Sequence, residues 1–417
     1  KMKDIDPVKF SNARSSLPYA AYEKIAHLLA AEADPFLWVM FVWQWNLIAR
    51  VSNVVTTTFN HMEWSDDHLS TRWSKSKKDQ GGKRAFNIAL MANPYDWKIC
   101  PITALAVWLS CNTFNGNALF PGPKENKRYS EGLKSFLARP DVKEELQEYA
   151  DLLLGTHSSR KGATNHAAQA GLCADVLMAV LLRGQWDIGD TLTRYFKLNG
   201  AADCLIARLL CGLDIQDISF GCLPPHFKHN EQSERVVVLV TKNQFPNNPL
   251  SEGSQNTILK MCTASLIHHY DALCSDLGNS HKLLQTHIFT LEDSRISTLK
   301  SKLGPRLTTL GDSRRQSSEM IARGIPPHLL YIQKIVHIEE RLDKMDERLE
   351  KIETSLLTLN ESVIRVETQG TTTTGPERLR AIVKEGMREL LRDTGNLRSD
   401  IHVMQNELQT SSSSSSS

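Results

Sequence analysis

The sequence predicts a mainly α-helical fold with one small β-hairpin or sheet, followed by a C-terminal coiled coil. Three observations carry this. Apolar residues recur at helical spacing through most of the first 227 residues, one stretch around Gly81 and Gly82 alternates like paired strands, and a 3,4 repeat runs unbroken from Ile335 to Val366.

Residues 17–55 read as two helices, the second opened by Pro35 as a first-turn residue and carrying Trp38, Phe41, Trp45 and Ile48. Residues 68–74 and 84–90 alternate on either side of a Lys-rich turn, which predicts a β-hairpin. Pro101 begins a further helix over 102–108, and helical segments follow near 131–137, 142–154, 158–169, 174–182 and 190–196. Residues 1–227 are therefore expected to form one domain. The Pro224-Pro225 pair and the polar run 228–234 mark its end, and 228–330 reads as a mixed, largely helical accessory region with a linker. Within it lie a short apolar stretch (236–240), a helical segment (255–277) and a basic, Ser-rich region (295–323).

The coiled coil is expected over 331–368. Placing Ile335 at heptad position a puts Lys334, Arg341 and Arg348 at g and Glu339, Asp346 and Glu353 at e. A parallel second copy aligns three pairs of opposite charge, so self-association through 335–366 is expected. Residues 369–417 read as a linker, a short helix near 376–391 and a disordered Ser-rich tail.

A net charge of +2 over 417 residues does not by itself announce a nucleic-acid binder, so any DNA-binding charge must be concentrated locally. The eight cysteines include no CxxC pair and no His/Cys ligand spacing, which argues against a structural metal or a disulfide framework and fits a reducing compartment. The richest apolar run, 36–48, is interrupted by Gln44 and Asn46 and falls short of the roughly 20 residues a membrane span needs, so no membrane partner is expected. The sequence opens at Lys1 without a signal-peptide pattern and reads as starting mid-protein.

The sharpest motif is Gly155-Thr156-His157-Ser158-Ser159-Arg160-Lys161-Gly162. His157 and Arg160 sit one turn apart on a predicted helix, so both can reach the same phosphate. Downstream stand Trp186 and Tyr195; upstream, Arg50 follows Trp45-Asn46-Leu47-Ile48-Ala49, and the hairpin turn holds Ser76-Lys77-Lys78-Asp79-Gln80. This order of Arg, hairpin Lys, HxxR, Trp and Tyr resembles the tyrosine recombinases, whose catalytic domain is phage-integrase-like. The likeness sharpens towards the Crypton-type mobile-element recombinases over roughly 36–230, at 45–54, 60–64, 77–80, 93–94, 99–101, 119–122, 156–163 and 223–227. Gly324-Ile325-Pro326-Pro327 shares it.

The resemblance implies site-specific DNA cleavage and rejoining through a 3′-phosphotyrosyl intermediate, with double-stranded DNA as partner and no cofactor or metal. Tyr195 is then the nucleophile, and Arg50 and Arg160 neutralise the phosphate oxygens, a task suited to planar, permanently charged guanidinium groups. Lys77 is the general acid, with Lys75 as the other candidate; His157 acts as base or charge stabiliser, and Trp186 replaces a histidine common in relatives and offers one N–H donor. Arg72, Lys75, Lys78, Lys83 and Arg84 crowd the hairpin and are expected to grip DNA phosphates.

Relatives often carry an acidic residue where this chain has Asn53, and they clamp DNA with an N-terminal helical domain that no segment before residue 17 is long enough to supply. Strand exchange between two duplexes brings four catalytic subunits together, which a self-pairing coiled coil favours. The family implies nuclear residence. The alternative is a catalytically inactive, domesticated DNA-binding protein that oligomerises through its coiled coil.

Overall fold

The computed structural model describes residues 14–72, 86–169, 174–186, 200–228, 231–305 and 320–368, together with 381, 384 and 385. The chain forms two compact units, Lys1–Leu329 and Leu330–Ser417.

In the first unit, α1 (Tyr19–Ala30), α2 (Phe36–Asn46) and the short α3 (Val51–Val55) lead into three strands, β1 (Met62–Ser65), β2 (His68–Thr71) and β3 (Ile88–Leu90). There follow α4 (Pro101–Cys111), α5 (Glu125–Ala138), α6 (Pro140–Glu145), α7 (Thr156–Gln169), α8 (Ala174–Arg183) and α9 (Gly200–Leu210). Then come α10 (Glu231–Gln244), α11 (Asn256–His268), α12 (Tyr270–Asp276) and α13 (Asp293–Ser301); α14 (Pro327–Thr368) begins in the first unit and runs through the second. The described residues thus form a mainly α structure with one small antiparallel sheet.

Helix α2 sets the architecture. Ten of its eleven residues are buried, so it has no solvent face and packs on every side, as an all-round apolar helix must. Each of its tryptophans donates its indole N–H to a carbonyl on a different segment: Trp38 to Lys98 (2.7 Å), Trp43 to Pro101 (3.0 Å) and Trp45 to Leu210 (3.1 Å). Gln44 and Asn46, the residues that interrupt the apolar run, are buried and hydrogen-bonded.

The sheet order is β1-β2-β3, both pairings antiparallel. Met62 faces Thr71 across β1 and β2, and Leu69 faces Leu90 across β2 and β3. The strand pairing expected between 68–74 and 84–90 is the β2–β3 ladder. Strand β1 is additional, joined to β2 through Asp66, which takes a left-handed conformation (φ 50°) that aspartate tolerates. The expectations for the hairpin tip, for a helix at 190–196 and for most of the chain past 368 lie outside the described residues.

Several expected elements change form. The helix expected over 142–154 is shorter, with α6 starting at Pro140 and giving way to a 3₁₀ turn at Gln147–Tyr149. The apolar stretch 236–240 is part of helix α10, where Val237 and Val240 face inward and Val236, Val238 and Leu239 outward. Residues 231–305 share the hydrophobic core of the preceding helices: α11 lies along α4, where Thr103 and Ser265 hydroxyls meet at 2.8 Å in the interior. Beyond the proline pair the chain is tied back by a bridge from Phe227 to Leu303.

Two further ties hold the unit together. Residues 320–329 cross it as a strap, with the Arg323 N–H donating to Asp67 (2.8 Å) and Leu329 fully buried. Arg208 on α9, also buried, donates to Asp67 (2.6 Å) and to the carbonyls of Phe220 (2.7 Å), Cys222 (2.8 Å) and Arg323 (2.8 Å).

Residues 14–18 run along α7, where the Leu17 N–H donates to Ser158 (3.2 Å) and the Asn165 amide to Ser16 (3.0 Å). They come so close at Gly162 that a Cβ there would sit 2.0 Å from the Leu17 carbonyl oxygen and 2.8 Å from the Trp45 ring. Alanine normally favours a helix over glycine by about 1 kcal/mol. A clash with backbone costs about 1–3 kcal/mol and wins. Gly162→Ala is accordingly expected to lower the melting temperature; an unchanged or higher value would show that the close approach is not needed.

Candidate active site

Gln44 places two of the site segments at once. From inside α2 its amide donates to the Thr156 carbonyl (2.6 Å), at the start of α7, and to Ala49 (3.4 Å), just before Arg50. Its oxygen accepts from the Tyr129 hydroxyl (2.9 Å), so all its polar capacity is directed. Between α2 and Arg50 the chain turns sharply through Ile48, a buried β-branched residue at φ 50°. A non-glycine residue held there stores roughly 1–3 kcal/mol of strain that the packing must offset. Arg50 then caps α3 in an extended conformation, half-buried.

On α7, His157 is exposed in the first turn and Arg160, one turn further, is buried. The Arg160 guanidinium lies over the Trp186 ring, its central carbon 4.4 Å from the ring centroid, and it donates to the Gly184 carbonyl. Burial first, and then the nearby charge of Arg50, pulls its pKa down to about 10. It remains a cation near neutrality, at a cost on the order of 3 kcal/mol. Among the described residues neither Arg50 nor Arg160 has a carboxylate partner. A buried guanidinium that feels a second positive charge is stabilised by an anion bound beside it.

Trp186 is set by the end of α8. Gln185 adopts φ 52°, and the N–H groups of Gly184, Gln185 and Trp186 bond back to Val180 (2.9 Å), Leu182 (2.9 Å) and Leu181 (3.0 Å). A Cβ on Gly184 would lie 1.7 Å from the indole, so only glycine lets the ring fold back over Arg160.

Just before it, Arg183 is fully buried, ion-paired to Asp203 on α9, and donates to the carbonyls of Asn46 (2.6 Å) and Ala89 (2.6 Å). Asp203 in turn accepts from the Ala89 N–H (2.6 Å). Sequence reading did not single out Gln44, Arg183 or Asp203. The only signals were a glutamine inside an otherwise apolar helix and an arginine ending another.

The structure therefore brings Arg160 and Trp186 together, with His157 on the same helix as Arg160 and Arg50 near enough for its charge to act on the Arg160 guanidinium. Arg72 is exposed at the end of β2, where its N–H donates to His61 (3.1 Å) and its charge, after burial, lowers the His61 pKa. Lys75, Lys77, Lys78, Lys83, Arg84 and Tyr195 lie outside the described residues. Among the described residues one group has metal-ligand chemistry, Glu23, His27 and Asp96, and it shares no residue with this site.

No family model and no curated protein matches the sequence. Among solved structures the fold is similar to a Flpe–Holliday junction complex (TM-score 0.40, 11% identity, 62% of this chain and 67% of that one). It is also similar to an FLP recombinase–Holliday junction complex (TM-score 0.37, 10% identity, 63% and 66%). No helix among the described residues is long and apolar enough to cross a membrane.

An anion at 100 times its Kd stabilises a folded protein by about 2.7 kcal/mol. Inorganic pyrophosphate is expected to raise the melting temperature more than chloride of equal ionic strength, and Arg160→Met to remove that increment. An equal increment in the variant would place the anion elsewhere.

Proposed function

We propose that this protein cleaves and rejoins double-stranded DNA through a 3′-phosphotyrosyl intermediate, as a tyrosine recombinase of the Crypton mobile-element type. The observation that carries the reading is the pair Arg50 and Arg160, the second roofed by Trp186 and neither with a carboxylate partner among the described residues. Two planar cations match the charge that builds on the non-bridging oxygens of a phosphodiester under attack.

The remaining chemistry follows from that placement. The Tyr195 phenolic oxygen attacks phosphorus as its proton passes to His157, forming the P–O(Tyr) bond while the bond to the 5′-oxygen breaks. Lys77 or Lys75, carried by the segment between β2 and β3, protonates the departing 5′-oxygen. The phosphotyrosine keeps the bond energy, so a 5′-hydroxyl from another strand reverses the step without ATP. The basic residues from Arg72 to Arg84 hold the DNA backbone.

Exchange between two duplexes requires several subunits, and α14 supplies the means. Along its 42 residues, Ile335, Leu342, Leu349 and Leu356 form an exposed apolar seam at heptad spacing. A parallel second copy covers this seam and pairs the flanking charges. The protein works in the nucleus, where a mobile element's DNA partner lies.

Incubation with a random-sequence pool of nicked duplexes, quenched in denaturing detergent, is expected to give a covalent protein–DNA band. Tyr195→Phe should abolish the band, and Arg160→Ala should reduce it by roughly 100-fold or more, the usual loss for a transition-state charge stabiliser. Salt-sensitive binding with no band from the unaltered protein would leave DNA binding without catalysis. For self-association, Leu342→Lys with Leu349→Lys is expected to reduce the mass seen by light scattering to that of one chain; an unchanged mass would refute the seam.

A further inference from the structure

The geometry points to the Arg183–Asp203 pair as a positioning device that holds strand β3 and the segments bearing Arg50, Arg160 and Trp186 in register. This inference rests on the strand-cleavage reading. No other side chain described here touches so many of those segments. One guanidinium reaches the Asn46 carbonyl at the end of α2, shortly before Arg50 (2.6 Å), and the Ala89 carbonyl on β3 (2.6 Å), the strand that receives the chain returning from 73–85. The next residue, Gly184, offers its carbonyl to Arg160 and backs the Trp186 ring. Asp203 lies on α9, the first described helix after the segment holding Tyr195.

The pair also does something a simple ion pair does not. Strand β3 is the free edge of the sheet, and Ala89, opposite Ser70, turns both its N–H and its carbonyl outward. Asp203 accepts the N–H (2.6 Å) and Arg183 donates to the carbonyl (2.6 Å), so the pair takes the place of a neighbouring strand and fixes where the edge can lie.

Stability alone is a poor reason for this arrangement, because well-packed apolar residues of the same volume usually hold as well as a buried ion pair. Geometric specificity is the better reason. A rigid guanidinium plane serves a carboxylate and two carbonyls together, which the single ammonium of a lysine cannot do in fixed directions.

The test uses the full chain, the random-sequence pool of nicked duplexes and a low temperature at which circular dichroism shows the variant folded. Arg183→Lys is expected to retain DNA within about 3-fold and to slow covalent adduct formation roughly 30-fold or more, a transition-state loss rather than a binding loss. Because part of the effect runs through the Trp186 and Arg160 segment, adding Arg183→Lys to Trp186→Phe should cost less than the product of the two single losses, the non-additivity of residues acting as a unit.

If Arg183→Lys does not fold, Asp203→Asn, which keeps the volume and one acceptor oxygen, goes through the same cycle. Wild-type rates from a folded variant, or losses that multiply with Trp186→Phe, would overturn the positioning role alone. Failure of both variants to fold under all conditions would assign the pair to stability and overturn it too. No adduct from the unaltered protein would instead overturn the strand-cleavage reading, and this inference with it.

Discussion

Helix α2 has almost no face left for water, so its polar groups find their partners inside the protein, Asn46 Oδ1 excepted. That constraint organises the first unit. The side chains of Trp38, Trp43, Trp45 and Gln44 bind backbone carbonyls of the loop before α4, α4 itself, α9 and α7, and the Asn46 carbonyl takes Arg183. Two of these bonds, from Gln44 to Thr156 and from Arg183 to Asn46, fix segments that carry or adjoin a site residue. The core and the site are therefore not separable layers: the contacts that satisfy α2 also place Arg50, His157 and Arg160.

Three arginines are buried among the described residues, and their treatment differs. Arg183 meets Asp203 and Arg208 meets Asp67, each pair supplemented by backbone carbonyls. Arg160 has one carbonyl and the face of Trp186, with Arg50 rather than a carboxylate for a neighbour. Cation–π contact offsets only about 0.5–2 kcal/mol of such burial. Among the described residues, Arg183 and Arg208 are thus neutralised by carboxylates and Arg160 is not. The same logic explains why residues 320–329 can strap across the sheet turn: Asp67 is already oriented by Arg208 and accepts the Arg323 N–H as well.

Much of this was legible in the sequence because it depends on short-range pattern. Pro101 at a helix start, the helical spacing after Pro35, and the strand alternation on both sides of Gly81-Gly82 fix local structure wherever the chain lies. Of the residues picked out by the order Arg50, His157, Arg160 and Trp186, the structure sets Arg160 against Trp186, within reach of the charge of Arg50. What sequence could not show is pairing at a distance. Strand β1 is four residues long, with Glu63 exposed, and only its ladder to β2 makes it a strand. Val236 to Val240 alternates poorly and has no strand partner, so it completes a helix whose outer face keeps Leu239 exposed. Arg183 and Asp203 look like ordinary charged residues at helix ends until the edge of β3 is set between them.

The most direct measurement is mass spectrometry on the protein–DNA product after exhaustive nuclease digestion. The account requires a nucleotide or phosphate on the tyrosine of the peptide containing Thr193-Arg194-Tyr195-Phe196, released with DNA whose other end is a free 5′-hydroxyl. A modification on a different residue, or DNA cut to leave a 5′-phosphate, would contradict it.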